Sequence, residues 1–296
     1  MNGAPASSNI RAAFSYCVQQ VRSYDYHHYL CLLNLPPPLR KPAFALRAFN
    51  IETSRTMDVV SDPKLGLMRL LWWQEAIDKI YAHKTIDHPM AIALSSIVSH
   101  NKLSKAWLKR SVEARISDAN QEGISKIEEL ERYSEDTVST LLYLTLQAGG
   151  IKSSVADHAA SHIGKANGLL LLLKSIPYHA SRGGVVHVPL EVASKHGLLL
   201  QRGRLKPEPR EELSNAVLEV ASVASAHLNK AQELICGVPK EAVPVLLPGV
   251  AAQVLLDSLE RVRFNVFDPR LNHGILGVSP FWFQLKLKWY AWRGKY

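Results

Sequence analysis

The stretch that decides the fold is AFNIETSRTMD at residues 48–58, and it has a counterpart in LLLKSIPYH at residues 171–179. Apolar residues recur through and before the first run, and they predict a largely apolar helix over residues 41–57. The second run ends a predicted helix that starts at Ser153 or Ser154, and small residues fill the middle of that helix. Small side chains would let a neighbouring helix approach closely. Those small residues are Ala159, Ala160, Gly164, Ala166 and Gly168.

Prolines mark most of the predicted helix boundaries. Because proline donates no backbone hydrogen bond, Pro36-Pro37-Pro38 and Pro177 are expected to end helices. Asp62-Pro63 and Pro189 are expected to start helices. The only extended piece predicted is residues 183–188. No repeat, low-complexity segment or linker divides the chain, so the pattern predicts one all-α domain.

Spacings of three and four residues predict the buried faces of two further helices. After Pro63 this face comprises Leu67, Leu70, Leu71, Trp73, Ile77, Ile80 and Tyr81. Between residues 211 and 235 it comprises Leu213, Val217, Val220, Ala224, Leu228 and Ala231.

Composition and charge bound the function. The 296 residues are 47% hydrophobic, and the three scattered cysteines predict neither a disulfide framework nor a zinc knuckle. The net charge of +9 is concentrated at the ends, because residues 1–47 hold five Lys/Arg and one acid while residues 261–296 hold seven and one. Basic ends favour an anionic surface, a membrane rather than nucleic acid. Solvated basic tails are the alternative.

The first residues suggest an import signal. Arg11, Arg22 and several serines, without an acid in the first 24 residues, resemble the end of a mitochondrial transit peptide. We therefore assign residues 1–14 to a remnant of a transit segment and residues 15–296 to the domain. The competing interpretation makes residues 10–33 an ordinary domain helix.

The order of these segments, over roughly residues 15–290, resembles the squalene/phytoene synthase superfamily. The resemblance rests on residues 45–58, residues 65–73, and residues 162–168 continuing to Arg182 and Val188-Pro189. It implies a single isoprenoid-synthase-like helical domain with a central cavity. Enzymes of this kind ionise a prenyl diphosphate with Mg²⁺, which requires carboxylates on two helices.

Most of those carboxylates are missing here. The resemblance places the acids of the first motif on Ser54 and Asp58, with a frequent further acid on Arg55. In the second motif the acids fall on Ser175 and His179, and the family's asparagine falls on Leu171. Two like charges about 4 Å apart cost on the order of 4 kcal/mol at an effective dielectric near 20, so Arg55 opposes a bound cation. We expect no metal, no cofactor, no catalytic residue and hence a pseudoenzyme.

The departures resemble a subgroup of this superfamily that assembles mitochondrial respiratory complex I. They include residues 49–52, residues 176–179 and Ser181-Arg182. The resemblance implies a protein on the matrix side of the inner membrane, acting with complex I subunits or assembly intermediates at an early membrane-arm stage, and no nucleic acid. Two alternatives stay open. One is an active prenyl-diphosphate transferase, an alternative that the remaining acid Asp58 supports. The other is an isoprenoid- or lipid-binding module.

Two further places are candidate contacts. Arg182, beside the Gly183-Gly184 turn, is a candidate for binding an anion or a lipid headgroup. Residues 281–295 mix aromatic and basic side chains, which suits a membrane interface, with Trp282, Lys286, Trp289 and Arg293 as the candidate contacts. The alternative is a terminal helix packed on the core.

Overall fold

The structure is a computed structural model that describes residues 4–296, with side chains from residue 9 onward. Contacts between Cα atoms divide the chain into two compact units. The first unit ends at Ala119 and also includes residues 140–152, and the second comprises residues 120–139 and 153–296. The described residues form helices and three isolated bridges but no strand, which confirms the all-α class.

Among the described residues, seven helices form the first unit, and α3 lies at its centre. They are α1 (Ala4–Tyr24), α2 (Tyr26–Leu32), α3 (Pro37–Ser54), α4 (Pro63–Tyr81), α5 (Pro89–His100), α6 (Lys105–Ala119) and α8 (Thr140–Ala148). Helices α1, α5 and α8 all pack on α3, so most of its residues are buried. The ring of Phe49 meets the edge of Trp73 on α4 at 5.3 Å between centroids.

The first unit corrects two predictions. The three prolines do not end the first helix, because α2 ends at Leu32 and Pro37 is the first residue of α3. A proline in the first turn loses no helical hydrogen bond, and its fixed φ suits a helix start. Leu71 was placed on the buried face of α4 but is 44% exposed. The 3.6-residue repeat turns Leu70 inward and its neighbour outward.

Asp62 confirms the predicted start of α4. Its side chain accepts a hydrogen bond from the backbone N–H of Lys64 at 2.9 Å, and Pro63 is the first residue of the helix. A capping carboxylate also lies favourably at the positive end of the helix dipole.

The second unit is built around the 28-residue helix α9. Its helices are α7 (Ile127–Ser134), α9 (Ser154–Ser181), α10 (Leu190–Lys195), α11 (Glu211–Glu233), α12 (Val243–Leu246), α13 (Pro248–Arg261) and α14 (Pro280–Trp292). A π-helical turn, Glu135–Ser139, follows α7. The predicted cap at Ser153 and the predicted buried face of α11 are confirmed.

The small residues of α9 allow the expected close approach. A Cβ added at Gly164 would lie 2.5 Å from the Cα of Ser139, and one added at Gly168 would lie 2.5 Å from the Cβ of Ser134. Neither site has room for a methyl group, so these glycines set the distance between α9 and the chain around the π-helical turn.

Pro177 does not end α9, contrary to prediction, because the helix continues to Ser181. An internal proline removes one backbone hydrogen bond and crowds the preceding turn. Burial of Leu173, Ile176 and Ala180 on both sides of the proline holds the helix together. After α9 the chain is extended as predicted, with one bridge between Val185 and Arg204, and a helix restarts after Pro189.

One segment, Val243–Arg261, is long and apolar enough to cross a membrane by length and composition. It is 78% buried within the structure, as expected of a core helix.

The three cysteines are free, as the sequence predicts. Cys17 and Cys31 are buried, and burial raises the pKa of each thiol to about 12. Cys236 is exposed, in the short turn after α11.

Residues 4–14, most of the proposed transit remnant, form the first half of α1. Residues 1–3 of that segment lie outside the described residues. The import signal and the single domain from residue 15 stay predictions.

Candidate functional site

The first motif lies at the end of α3, in the first unit. The hydroxyl of exposed Ser54 donates to the carbonyl of Ile51 at 3.1 Å, so its proton is used inside its own helix. Asp58 is half-buried in the turn that follows the helix. The guanidinium carbon of Arg55 lies 3.5 Å from the ring centroid of Tyr24, a cation–π contact. Of the three positions to which the resemblance assigns an acid, only Asp58 is therefore a carboxylate.

The second motif lies near the end of α9, in the second unit. The hydroxyl of Ser175 donates to the carbonyl of Leu172 at 2.7 Å, again within the helix. The ring of His179 packs 5.9 Å from that of His187 and 5.2 Å from that of Tyr178. His187 in turn stacks on Tyr133 at 5.8 Å. Rings occupy the position to which the resemblance assigns an acid, and Leu171 is half-buried.

Neither motif fits the magnesium cluster that the resemblance implies. Mg²⁺ prefers carboxylate oxygens and bound water. The first motif offers Asp58 beside a cationic side chain, and the second offers a hydroxyl and an imidazole. We therefore derive no step through a bound metal.

The Arg182 candidate is exposed at the end of α9. Its guanidinium carbon lies 4.5 Å from the ring centroid of Tyr178. Gly183 has a φ of +64°, and the N–H of Gly184 donates to the carbonyl of His179 at 2.9 Å. The turn that the sequence indicated is present, while a role in anion binding stays a prediction.

One cluster of described residues has ligand atoms close enough together for a metal: Asp25, His27 and His28. Asp25 is buried and ion-paired with the guanidinium Nε of Arg47, while the Nδ1 atoms of His28 and His27 lie 2.8 and 3.3 Å from its Oδ1. Burial alone would raise the pKa of Asp25, but Arg47 and the imidazoles hold it well below its ordinary value. The guanidinium already neutralises the carboxylate, so the cluster is a buried ion pair.

Glu52 and His88 form a second polar site in the first unit. Glu52 Oε1 lies 3.2 Å from His88 Nε2, and the imidazole ring lies 5.5 Å from both Trp72 and Trp73. Burial raises the pKa of Glu52 to about 7 and lowers that of His88. No local spacing marks this pair, because Glu52 lies on α3 and His88 lies just before α5.

In the second unit, an acid and two histidines from three helices form a chain. Glu131 Oε1 lies 2.5 Å from His227 Nε2, and His227 Nδ1 lies 2.8 Å from His162 Nδ1. The carboxylate of Glu131 can only accept, so the Nε2–H of His227 donates a hydrogen bond to it, and the two Nδ1 atoms of the histidines share a second hydrogen bond. Burial and nearby cations lower the pKa of His162 to about 4. The chain ties α7, α11 and α9 together.

Helix α14 has two apolar faces. Phe283 and Leu287 are buried against the second unit. The opposite face carries Phe281, Trp282, Leu285, Trp289 and Trp292, with Phe281 76% and Trp292 83% exposed. Of the predicted membrane contacts, Trp282 and Trp289 lie on this outer face, and Arg293 stacks on Trp289 at 4.8 Å. Lys286 instead lies at the side, 3.3 Å from Asp257.

The comparisons with known proteins agree with this architecture. Residues 21–276 match the family model described as squalene/phytoene synthase. The chain belongs to the squalene/phytoene synthase family. A solved dehydrosqualene synthase in complex with a ligand superimposes with a TM-score of 0.80 at 15% identity, covering 97% of this chain and 99% of that one. This similarity confirms the predicted isoprenoid-synthase-like fold, while the central cavity stays a prediction.

Within the squalene/phytoene synthase family, this chain groups with proteins named NADH dehydrogenase (ubiquinone) complex I, assembly factor 6. The Bos taurus protein is 40% identical over 257 residues, covering 87% of this chain and 77% of that protein. The Mus musculus protein is 36% identical over 293 residues, covering 99% of this chain and 86% of that protein. The predicted relationship to the complex I assembly subgroup is therefore confirmed.

Proposed function

We propose that this chain is an assembly factor for mitochondrial respiratory complex I. The observation that carries the proposal is its 40% identity, over 87% of its length, to a bovine protein named complex I assembly factor 6. The proposed partners are complex I subunits or assembly intermediates, at an early stage of building the membrane arm.

The proposed role is not enzymatic. The hydroxyls of Ser54 and Ser175 hydrogen-bond within their own helices, and His179 packs among other rings. Asp58 is the one acid left at the motif positions. Ionising a prenyl diphosphate leaves a concentrated negative charge that magnesium must stabilise, and these side chains supply a poor set of ligands for it.

The proposed location is the matrix side of the inner membrane, with α14 in contact with the lipid. Its outer aromatic face and the neighbouring cations Lys288, Arg293 and Lys295 suit the headgroup region of an anionic bilayer.

The test is blue-native electrophoresis of mitochondria that lack the protein. We expect selective loss of complex I, restored both by the wild-type chain and by the variant Asp58→Ala. Normal complex I in the deficient mitochondria would overturn the proposal.

A parallel assay addresses the alternative that Asp58 supports, an active transferase. Purified chain is incubated with Mg²⁺ and farnesyl or geranylgeranyl diphosphate. We expect no turnover, whereas turnover that Asp58→Ala abolishes would establish an enzyme.

A further inference from the structure

The second unit contains an open cleft of about 320 Å³ that neither the motifs nor the proposed function explain. Its polar lining comes from Ser258, Arg261, Arg270 and His273, and Gly277 closes one side. The volume is the share that roughly ten water molecules occupy in the liquid, which leaves room for a phosphate group with its glycerol.

Helix α13 and the turns after it build this cleft. Buried Ser258 lies near the end of α13, and its hydroxyl oxygen accepts a hydrogen bond from Arg261 Nη2 at 2.7 Å. Gly277 has a φ of +80°, and a Cβ there would lie 3.0 Å from the hydroxyl oxygen of Ser258. A glycine is therefore required for the returning chain to come so close to α13.

The polar groups of the cleft favour an anion. Both hydrogen bonds of Arg261 go to neutral oxygens, the carbonyl of Asp257 at 3.2 Å and the hydroxyl of Ser258. Arg270 is paired with Asp268, at 2.8 Å from Nη2 to Oδ2. The Nδ1 of His273 donates to the carbonyl of Pro269 at 3.3 Å, because a carbonyl can only accept. Arg270 also donates from Nε to Oδ1 of Asp268 at 3.0 Å, so the guanidinium of Arg261 is the cation of the cleft whose hydrogen bonds do not go to a carboxylate. Guanidiniums match phosphate oxygens in geometry.

Along the chain, the residues that line the cleft end just before α14 begins. Ser279 caps α14 two residues after Gly277, and Lys286 on α14 pairs with Asp257, next to Ser258. Residues 261–296 carry seven Lys/Arg and one acid, so the whole segment attracts an anionic surface.

We propose that this cleft binds the phosphate of an anionic phospholipid headgroup while the outer face of α14 lies in the interface. This inference rests on the membrane contact proposed above. The aromatic face supplies attachment to any bilayer, and the cleft supplies the preference for an anionic one.

The test compares binding of the full chain to two kinds of vesicle, pure phosphatidylcholine and phosphatidylcholine with a quarter of phosphatidylglycerol. We expect tighter binding to the anionic vesicles. Arg261→Gln should weaken that binding by more than about fivefold, because that factor is the effect of any one basic residue near such a surface and Arg261 would also contact the phosphate. Binding to neutral vesicles should be unchanged. Arg270→Gln, at an exposed position, serves as a second variant if the first fails to fold.

Arg263→Gln is the matched control, because Arg263 is exposed two residues further on and does not line the cleft. It removes the same charge. An equal loss of binding to anionic vesicles in Arg263→Gln and Arg261→Gln would overturn the headgroup site, because a diffuse electrostatic attraction would then account for the binding.

Two further arms separate this inference from the membrane contact itself. Trp282→Ser/Trp289→Ser should weaken binding to both kinds of vesicle. Equal binding of the wild-type chain to both kinds of vesicle would overturn the headgroup site in the cleft and leave the membrane contact of α14 intact. Binding to neither kind would overturn both proposals.

Titration with inorganic phosphate, followed by amide chemical shifts, tests whether the ligand of the cleft is a free anion instead of a lipid headgroup. If phosphate saturates the cleft and the chain shows no preference for anionic vesicles, the ligand is a free anion, and the proposal of a lipid headgroup is overturned.

Discussion

The buried acids of the first unit differ in how their charge is compensated. Asp25 has a guanidinium and imidazoles around it, so it stays ionised although it is buried. Glu52 has only the half-buried ring of His88 beside one oxygen, and burial moves its pKa from 4.5 to about 7. A carboxyl group shielded from water thus stays ionised in one case, and in the other it makes the stability of the fold depend on pH.

The raised pKa of Glu52 predicts that folding becomes weaker as the pH rises. The folded state holds the proton up to about pH 7, and the unfolded state releases it near 4.5. The protonated Glu52 therefore makes its full contribution to the free energy of unfolding below the pKa of the unfolded state. That contribution is lost as the pH rises through the pKa of the folded state, and the loss is at most about 3 kcal/mol. Glu52→Gln cannot ionise, so its free energy of unfolding should fall less between about pH 5 and pH 8.

Urea unfolding of both proteins across that range measures the difference. Glu75→Gln is the control, since the side chain of Glu75 is 71% exposed and its replacement should leave the pH profile unchanged. Parallel profiles for wild type and Glu52→Gln would contradict the prediction.

The ion pair of Asp25 predicts a large asymmetry between single and double variants. Arg47→Met leaves a buried carboxylate without its cation and should cost about 3–5 kcal/mol in free energy of unfolding. Asp25→Asn/Arg47→Met removes both charges and should recover a substantial part of that loss. Chemical denaturation of the three proteins measures it, and a double variant less stable than Arg47→Met would refute the account.

Sequence alone reached the motif residues but not these pairs. Ser54, Ser175 and His179 stand at positions that a linear pattern identifies, so their chemistry could be predicted. Asp25 lies between α1 and α2, and its partner Arg47 lies on α3. Glu52 lies on α3, and its partner His88 lies just before α5. Only the packed structure brings the members of each pair together. No local spacing marks such a contact.

At the scale of the helix, Gly164 of α9 predicts a departure from the ordinary helix propensities of glycine and alanine. Alanine normally stabilises a helix over glycine by roughly 0.5–1 kcal/mol. At Gly164 the added methyl would meet the Cα of Ser139, so Gly164→Ala should instead destabilise by about 1–3 kcal/mol. Thermal unfolding measures the change.

Gly249 provides the control for that substitution. It lies in α13 of the same unit, and an added Cβ would be 3.4 Å from Ile163, an ordinary contact. Gly249→Ala should be neutral or mildly stabilising. A stabilised Gly164→Ala would show that the π-helical turn can move away.

The two faces of α14 predict opposite phenotypes. Phe283→Ala removes a buried ring and should cost about 3–5 kcal/mol of stability. Trp282→Ser/Trp289→Ser removes exposed rings and should leave the melting temperature nearly unchanged while releasing the protein from membranes. Thermal melts beside membrane fractionation distinguish the two, and equal destabilisation by both variants would argue against an outward aromatic face.

Helix boundaries could be predicted where capping dictates them and not where packing does. Asp62 and Ser153 each accept a hydrogen bond from the first turn, a local interaction that the sequence displays. Pro177 is locally a helix breaker, yet buried neighbours on both sides keep α9 intact. Burial is a property of the whole fold, so the sequence could not reveal it.

At the scale of the whole molecule, the fold of a dehydrosqualene synthase is shared at a low sequence identity. The solved dehydrosqualene synthase shares 15% of its residues with this chain and still superimposes over 97% of it. The helix order and the buried faces maintain that fold, and neither requires Ser54 or Ser175 to be acidic. This is why the fold could be predicted from motifs in which most of the expected acids are replaced.

The same independence predicts that restoring acids will not restore an enzyme. Ser54→Asp/Ser175→Asp/His179→Asp should show no Mg²⁺-dependent turnover of farnesyl diphosphate, because Arg55 remains and the rings around position 179 still fill the space. Product analysis by chromatography measures it. Turnover by this variant would mean that the acids alone separate the chain from the enzymes.

The three thiols of the chain give it a built-in attachment point for probes. Cys17 and Cys31 are buried and hold their protons, so they react slowly with maleimides, while Cys236 is open to solvent. A fluorophore or photocrosslinker should therefore attach at one place on the unmodified protein. From that position it could capture the neighbours of the second unit in intact mitochondria, without an engineered cysteine.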